Sequence, residues 1–222
     1  DLDFHELKLE ANFRLFAKDL TSENTDSFLY RDFQARNIML DDAGNPYFID
    51  FQGGRKGPFY YDIASFLWQA SAKYPHKLRR ELIYEYYHSL KNYTEVPSVR
   101  HFVERLSLFV LFRTLQVLGA YGFRGYFERK KYFIDSIPAA MQNLRELLEL
   151  DVFHYPYMID MLKRLTQLPQ FAPKEEPRQS RTDGLKTDDA SIFKGHPQDG
   201  PATFSKYDGR GPLVVRVFSF SF

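Results

Sequence analysis

From Tyr61 to about Leu150 the sequence keeps a helical rhythm almost without interruption, and this limits the fold more than any other feature. Apolar residues return every three or four positions, the spacing of one face of an α-helix. After a first helix opening near Tyr61, segments fall at about 76–93, 98–120 and 130–150, parted by Pro97 and by the glycine-bearing stretch GAYGFRGYF. A shorter helix is expected over 156–168, and residues 3–20 form another through Phe4, Leu7, Ala11, Leu15 and Phe16. Asp62, ahead of Ile63, Ala64, Phe66, Leu67 and Trp68, reads as a capped helix start. These helices are rich in Phe, Tyr and Leu, and most of those aromatics are expected to fill the core. The β signal is small. Ile38-Met39-Leu40 and Tyr47-Phe48-Ile49 flank Asp41-Asp42-Ala43-Gly44-Asn45-Pro46, a run with turn chemistry. The expected class is therefore α+β: mainly helical, with one hairpin whose buried-looking second strand ends at Asp50.

At 222 residues the chain can bury a substantial core, and 44% apolar content makes it globular. A formal net charge of +1 gives no global electrostatic reason to bind nucleic acid. The absence of cysteine removes disulfides and thiolate metal sites and fits a cytoplasmic location. No apolar run approaches the ~20 residues that span a bilayer, so no membrane partner is expected. The six histidines are scattered without metal-ligand spacing.

Composition changes at Leu168-Pro169. Residues 169–211 are rich in charge, Pro and Gly and read as a linker or extended tail. Residues 212–222, PLVVRVFSFSF, read as a strand that needs a partner, from the preceding domain or from a second one.

The chemistry lies in residues 28–54, FLYRDFQARNIMLDDAGNPYFIDFQGG. Phosphoryl transfer needs an oriented acceptor hydroxyl, a group to take its proton, and Mg²⁺ to neutralise phosphate charge. Tyr30-Arg31-Asp32 is followed five residues after Asp32 by Asn37, and Asp50-Phe51-Gln52 begins thirteen residues after Asn37. This is the order of the H-R-D-x-x-x-x-N and D-F-G elements of kinases, with Tyr30 for His and Gln52 for Gly. Asp32 is the expected catalytic base, and Asn37 and Asp50 the oxygen ligands of Mg²⁺. The intervening hairpin would fold Asp50 back toward Asn37. Only 12 residues separate Asp50 from Asp62, too few for a protein-kinase activation segment. Arg36, inside the loop, is equally open to an anionic substrate or a salt bridge. The run Gly53-Gly54-Arg55-Lys56-Gly57 offers cations to phosphate or an acidic sugar, or is a solvated loop.

YRDFQARNIML, YFIDFQGG and YDIASFLW together resemble the aminoglycoside phosphotransferase family, which includes choline kinase-like and sugar kinase-like enzymes. Within it they are most similar to bacterial N-acetylmuramate or N-acetylglucosamine kinases. The resemblance covers about residues 1–168. It implies ATP and Mg²⁺ as cofactors and a hydroxyl of a sugar or amino sugar as phosphate acceptor. It also implies that Asp62 supports the catalytic loop from a helix start, with Tyr30 beside it. Arg113 and Tyr121, near a helix end, would fall among residues that line the acceptor pocket. Only 31 residues precede Asp32, without a glycine-rich loop, and Lys8 and Lys18 sit on a helix. The chain thus reads as the C-terminal lobe of a kinase-like fold with the N-lobe absent, inactive alone. LVVRVFSFSF resembles the opening strand of the C-terminal domain of the RNase adaptor RapZ, implying an RNA-linked domain further on. A competing reading follows: a sugar-sensing regulatory module coupled to that RNA-associated domain. The intact set of Asp32, Asn37 and Asp50 favours the enzyme, while Tyr30 and Gln52 keep the sensor open.

Overall fold

A computed structural model describes residues 2–171 of the chain. The strand expected over 212–222, and all but the first residues of the expected linker, lie outside the described residues. Helix α1 (Glu6–Thr21) leads to strand β1 (Ser27–Leu29), a 3₁₀ turn (Ala35–Asn37), and strands β2 (Ile38–Leu40), β3 (Pro46–Phe48) and β4 (Arg55–Gly57). Helices α2 (Tyr60–Leu67), α3 (His76–Leu90), α4 (Val99–Gly122), α5 (Lys131–Leu148) and α6 (Pro156–Thr166) follow, with a π-helical turn over Phe123–Phe127 at the end of α4.

The expected hairpin is present. β2 and β3 pair antiparallel with Ile38 opposite Phe48 and Leu40 opposite Pro46. A second two-stranded sheet, with no periodic signal in the sequence, pairs β1 with β4, setting Ser27 opposite Gly57 and Leu29 opposite Arg55. The contact is close: a Cβ on Gly57 would run into the Leu29 side chain, which would have to move to admit a larger residue. The hairpin itself is less buried than expected, since Tyr47 and Ile49 are exposed.

The core is built by the helices. α2 is the most deeply placed, with Tyr60, Ile63, Ala64, Phe66 and Leu67 all buried. Its Tyr60 ring meets Phe102 at 5.2 Å and Phe109 at 5.4 Å, both from α4. Leu82, Leu144 and Met158 bring α3, α5 and α6 to the same cluster. α4 with its π-helical continuation has the length and hydropathy of a bilayer span. The middle of α4 is nonetheless packed from Phe102 to Thr114, the place of a core helix, and it carries Arg105 and Arg113.

Two local expectations are corrected. Phe4 precedes α1 and is exposed, as are Leu7 and Leu15; Phe16 is the buried residue of that helix, because α1 lies along the edge of the bundle with one narrow seam inward. Asp62 is not the cap of α2, which begins two residues earlier at Tyr60. Its carboxylate is used elsewhere, as described below. The helix edge is instead fastened by charge. Arg105 on α4 pairs with Glu23 and donates to the carbonyl of Asp19 and, at 3.2 Å, to Ser22 Oγ. The two ion-pair side chains are only 16% and 18% exposed, so removing one strands the other in a poorly solvated place. Arg105→Ala should lower the free energy of unfolding by about 3 kcal/mol. Urea denaturation would read this directly, and a loss below about 0.5 kcal/mol would mean that the pair behaves as an exposed one.

Candidate active site

The β1–β4 pairing brings the segment entering the Tyr30-Arg31-Asp32 loop alongside the segment leaving Asp50. At both points the backbone is left-handed: φ is 74° at Arg31 and 68° at Asp50. Aspartate tolerates this region through its short polar side chain; arginine has no such excuse, and its conformation must be held by its surroundings. Asp62 supplies the hold. Its carboxylate accepts the backbone N–H of Tyr30 at 2.6 Å and of Arg31 at 2.9 Å. The Arg31 guanidinium donates to the Gly53 carbonyl at 3.3 Å, tying the loop to the far strand. Burial pushes the Asp62 carboxyl up to about 6, against the opposing pull of the two N–H donors and the Arg113 charge.

Tyr30 is the hinge between the halves. Its hydroxyl donates to the carbonyl of Ile49, the residue before Asp50. Its ring lies edge-on to Phe33 at 5.7 Å and to Phe48 at 6.3 Å. The phenol is pushed above its ordinary range, by burial first and then by the charges of Asp50, Asp32 and Asp62. The charges of all three carboxylates thus act on one side chain.

The Asp32 carboxylate is held from three sides. Gln34 donates to Oδ1, Asn37 Nδ2 donates to Oδ2 at 3.0 Å, and the Arg36 guanidinium stands 3.6 Å from Oδ2. Asn37 is buried, and its Nδ2 also donates to the Asp32 carbonyl at 2.8 Å. Its amide nitrogen is thus committed to Asp32, and its Oδ1 forms no hydrogen bond among the described residues. The end of β3 is tied back to it, since Ile49 N–H donates to the Asn37 carbonyl at 3.1 Å. Asp50 is exposed, with Oδ1 accepting from Gln52 Nε2 at 2.6 Å. An uncommitted amide oxygen and an exposed carboxylate suit Mg²⁺, a hard cation that takes few protein oxygens and fills its shell with water and substrate phosphate. Among the described residues no cluster of three His, Cys, Asp or Glu could hold a metal, so a site here would be of that open kind.

Asp32 also borders a cavity of about 120 Å³. Arg31, Phe33 and Gln34 form one wall with it; Ser65, Trp68, Gln69, Arg113, Thr114, Tyr121, Tyr132 and Asn143 contribute to the others. The expected site residues thus divide. Asp32, Arg113 and Tyr121 line the cavity, whereas Asn37 and Asp50 do not. Arg36 lies outside it against Asp32, and Arg55 lies on β4 away from it. Gln34, Gln52, Trp68, Gln69 and Tyr132 were not anticipated. For the first two a signal existed: the motif Asp-Phe-Gln occurs twice, at 32–34 and 50–52, and each Gln donates to the Asp two residues before it. The other cavity walls come from α2 and the residues just after it, α4 and α5, and carry no local motif.

Residues 1–100, which include this segment, match the phosphotransferase enzyme family (APH). Over 147 residues the chain is 26% identical to an N-acetylmuramate/N-acetylglucosamine kinase of Pseudomonas aeruginosa, covering 65% of the chain and 42% of that protein. Over 123 residues it is 28% identical to a protein of the same name from Neisseria meningitidis serogroup B, covering 54% of the chain and 36% of that protein. The chain spans about two fifths of the length of these relatives.

Proposed function

We propose that the protein is an ATP- and Mg²⁺-dependent phosphotransferase acting on a hydroxyl of a sugar or amino sugar. The observation that carries this reading is the position of Asp32: one carboxylate both borders a cavity and is hydrogen-bonded to Asn37, with Asp50 tied in beyond it. In this reading an acceptor hydroxyl enters from the cavity side, and Asp32 orients it and receives its proton. Gln34 and Asn37 keep the carboxylate aimed, so little reorientation is needed as the oxygen attacks. Asn37 Oδ1 and Asp50 would hold Mg²⁺, which supplies charge neutralisation at the transferring phosphoryl group. Tyr30 sets the spacing of the two parts through Ile49. Arg36 screens Asp32 rather than contacting acceptor. The names of the two relatives support an N-acetylated amino sugar as acceptor.

Among the described residues Lys8 and Lys18 lie on α1, and the one strand lysine, Lys56 on β4, stands 3.6 Å from the Asp26 carboxylate. Because the chain spans about two fifths of the length of its relatives, acceptor binding is to be measured on the 222-residue chain and turnover on the full-length protein. The test is Mg²⁺-dependent ADP release across a panel of hexoses, N-acetylated amino sugars and aminoglycosides. Release with an amino sugar supports the reading. Absence of release with every sugar, from folded full-length protein, overturns it.

A further inference from the structure

The charge in the cavity is unusual for a site built around a catalytic carboxylate. Its ionised lining residues are Asp32, Arg31 and Arg113, two guanidinium groups against one carboxylate. Arg31 is already engaged with the Gly53 carbonyl. Arg113 is different. Its guanidinium lies over the Tyr61 ring at 4.8 Å, and Nη1 donates to Tyr61 Oη at 2.7 Å and Gln116 Oε1 at 2.8 Å. Both partners are neutral, so Arg113 forms no ion pair among the described residues. Asp62 feels its charge but is occupied by two backbone N–H groups. What remains is the Nε–Nη2 edge: Nε is buried without a hydrogen-bond partner, and Nη2 forms no hydrogen bond among the described residues. That edge is the fork that matches a carboxylate with two parallel bonds.

A second buried polar atom without a partner belongs to the same cavity. Gln69 lines it, its Nε2 donates to Ser71 Oγ at 3.0 Å, and its Oε1 has no partner. Exchanging the amide oxygen and nitrogen would leave the other atom unpaired, so one hydrogen-bonding position stays open in either orientation. Buried polar groups are rarely left unsatisfied, and two in one cavity fit a site whose ligand completes them.

We propose that this cavity selects an acceptor bearing a carboxylate in addition to its reactive hydroxyl, with Arg113 reading the carboxylate and Gln69 a hydrogen-bonding group beside it. The inference rests on the phosphotransferase reading above and narrows its acceptor. It also argues against polycationic acceptors such as aminoglycosides, which would meet two like charges in the cavity.

N-acetylmuramate and N-acetylglucosamine serve as probes, since they differ by a carboxylate-bearing ether side chain. Calorimetric titration of the full chain needs no ATP. The acidic sugar should bind about tenfold or more tightly than the neutral one, a ratio typical of one charge-assisted bidentate contact, and the ratio should shrink as salt is raised. Arg113→Gln should bring the ratio to near one, and Arg113→Lys, which keeps the charge and loses the fork, should leave it intermediate. The methyl ester of N-acetylmuramate tests the same contact without altering the protein and should bind like the neutral sugar. Equal affinity for acid and neutral sugar, or a ratio unchanged by Arg113→Gln and by esterification, overturns the inference while leaving sugar binding intact. Failure of folded protein to bind either sugar overturns both the inference and the reading beneath it.

Discussion

Asp32→Asn should reduce kcat of the full-length protein by about 10³-fold, the usual contribution of a positioned proton acceptor. The loss should fall on kcat more than on the acceptor KM. Asp32 is one of many groups lining the cavity, and the replacement keeps its size. The hydrogen-bond pattern sharpens the expectation. Two amide donors, from Gln34 and Asn37, face the two Asp32 oxygens. An amide at position 32 presents one N–H₂ group to a donor, so it loses alignment as well as basicity. Steady-state kinetics at saturating ATP decides the matter. Retention of more than a tenth of wild-type kcat would place the proton acceptor elsewhere.

The second large effect concerns Asp62, where stability and activity should respond to pH in opposite senses. Burial raises its carboxyl from 3.8 to about 6 in the folded protein. Between these values the folded state holds a proton that the unfolded chain has lost. Its contribution to stability therefore falls as pH rises through this window and is constant above it. The full change is about 3 kcal/mol, at 1.36 kcal/mol per pKa unit. The catalytic loop has the opposite requirement. Ionised Asp62 accepts N–H bonds on both oxygens and so holds Arg31 in its left-handed conformation. Turnover should thus rise to half its plateau near pH 6, while urea stability declines over the same range. Asp62→Asn should flatten the stability slope and lower kcat by about 10²-fold, because an amide leaves one of the two backbone N–H groups facing another donor. An unchanged stability slope in this variant would assign the pH dependence to another group.

The helical body was legible because it obeys a local rule. The six helices each start or stop within a few residues of their periodic pattern, helped by Pro97, Pro156 and the glycines after Leu118. Asp32, Asn37 and Asp50 were legible through order and spacing along one stretch. The β1–β4 sheet was not, because Ser27–Leu29 and Arg55–Gly57 are three residues each and neither alternates clearly. Their pairing is decided by the close packing of Gly57 on Leu29, a contact between residues 28 positions apart. Asp62 looked like a cap because a carboxylate before an apolar run usually is one. Its true partners lie more than thirty residues away in the chain. The cavity was least legible of all. Trp68 and Gln69 follow the end of α2, Thr114 lies on α4 and Tyr132 on α5, and what unites them is the packing of α4 against α2 and α5.

That short β1–β4 sheet has a consequence for how the molecule opens. It closes residues 30–54 into one loop containing Asp32, Asn37 and Asp50, so these residues share a single clasp of three paired positions. A sheet this small breathes far more readily than the helical core beneath it. Amides on both sides of the hairpin should then exchange with solvent as one cooperative unit, well before the amides of α2 and α4. Ligands that bridge the two ends of the loop would slow that exchange throughout, and the candidate site would gain its rigidity from what it binds.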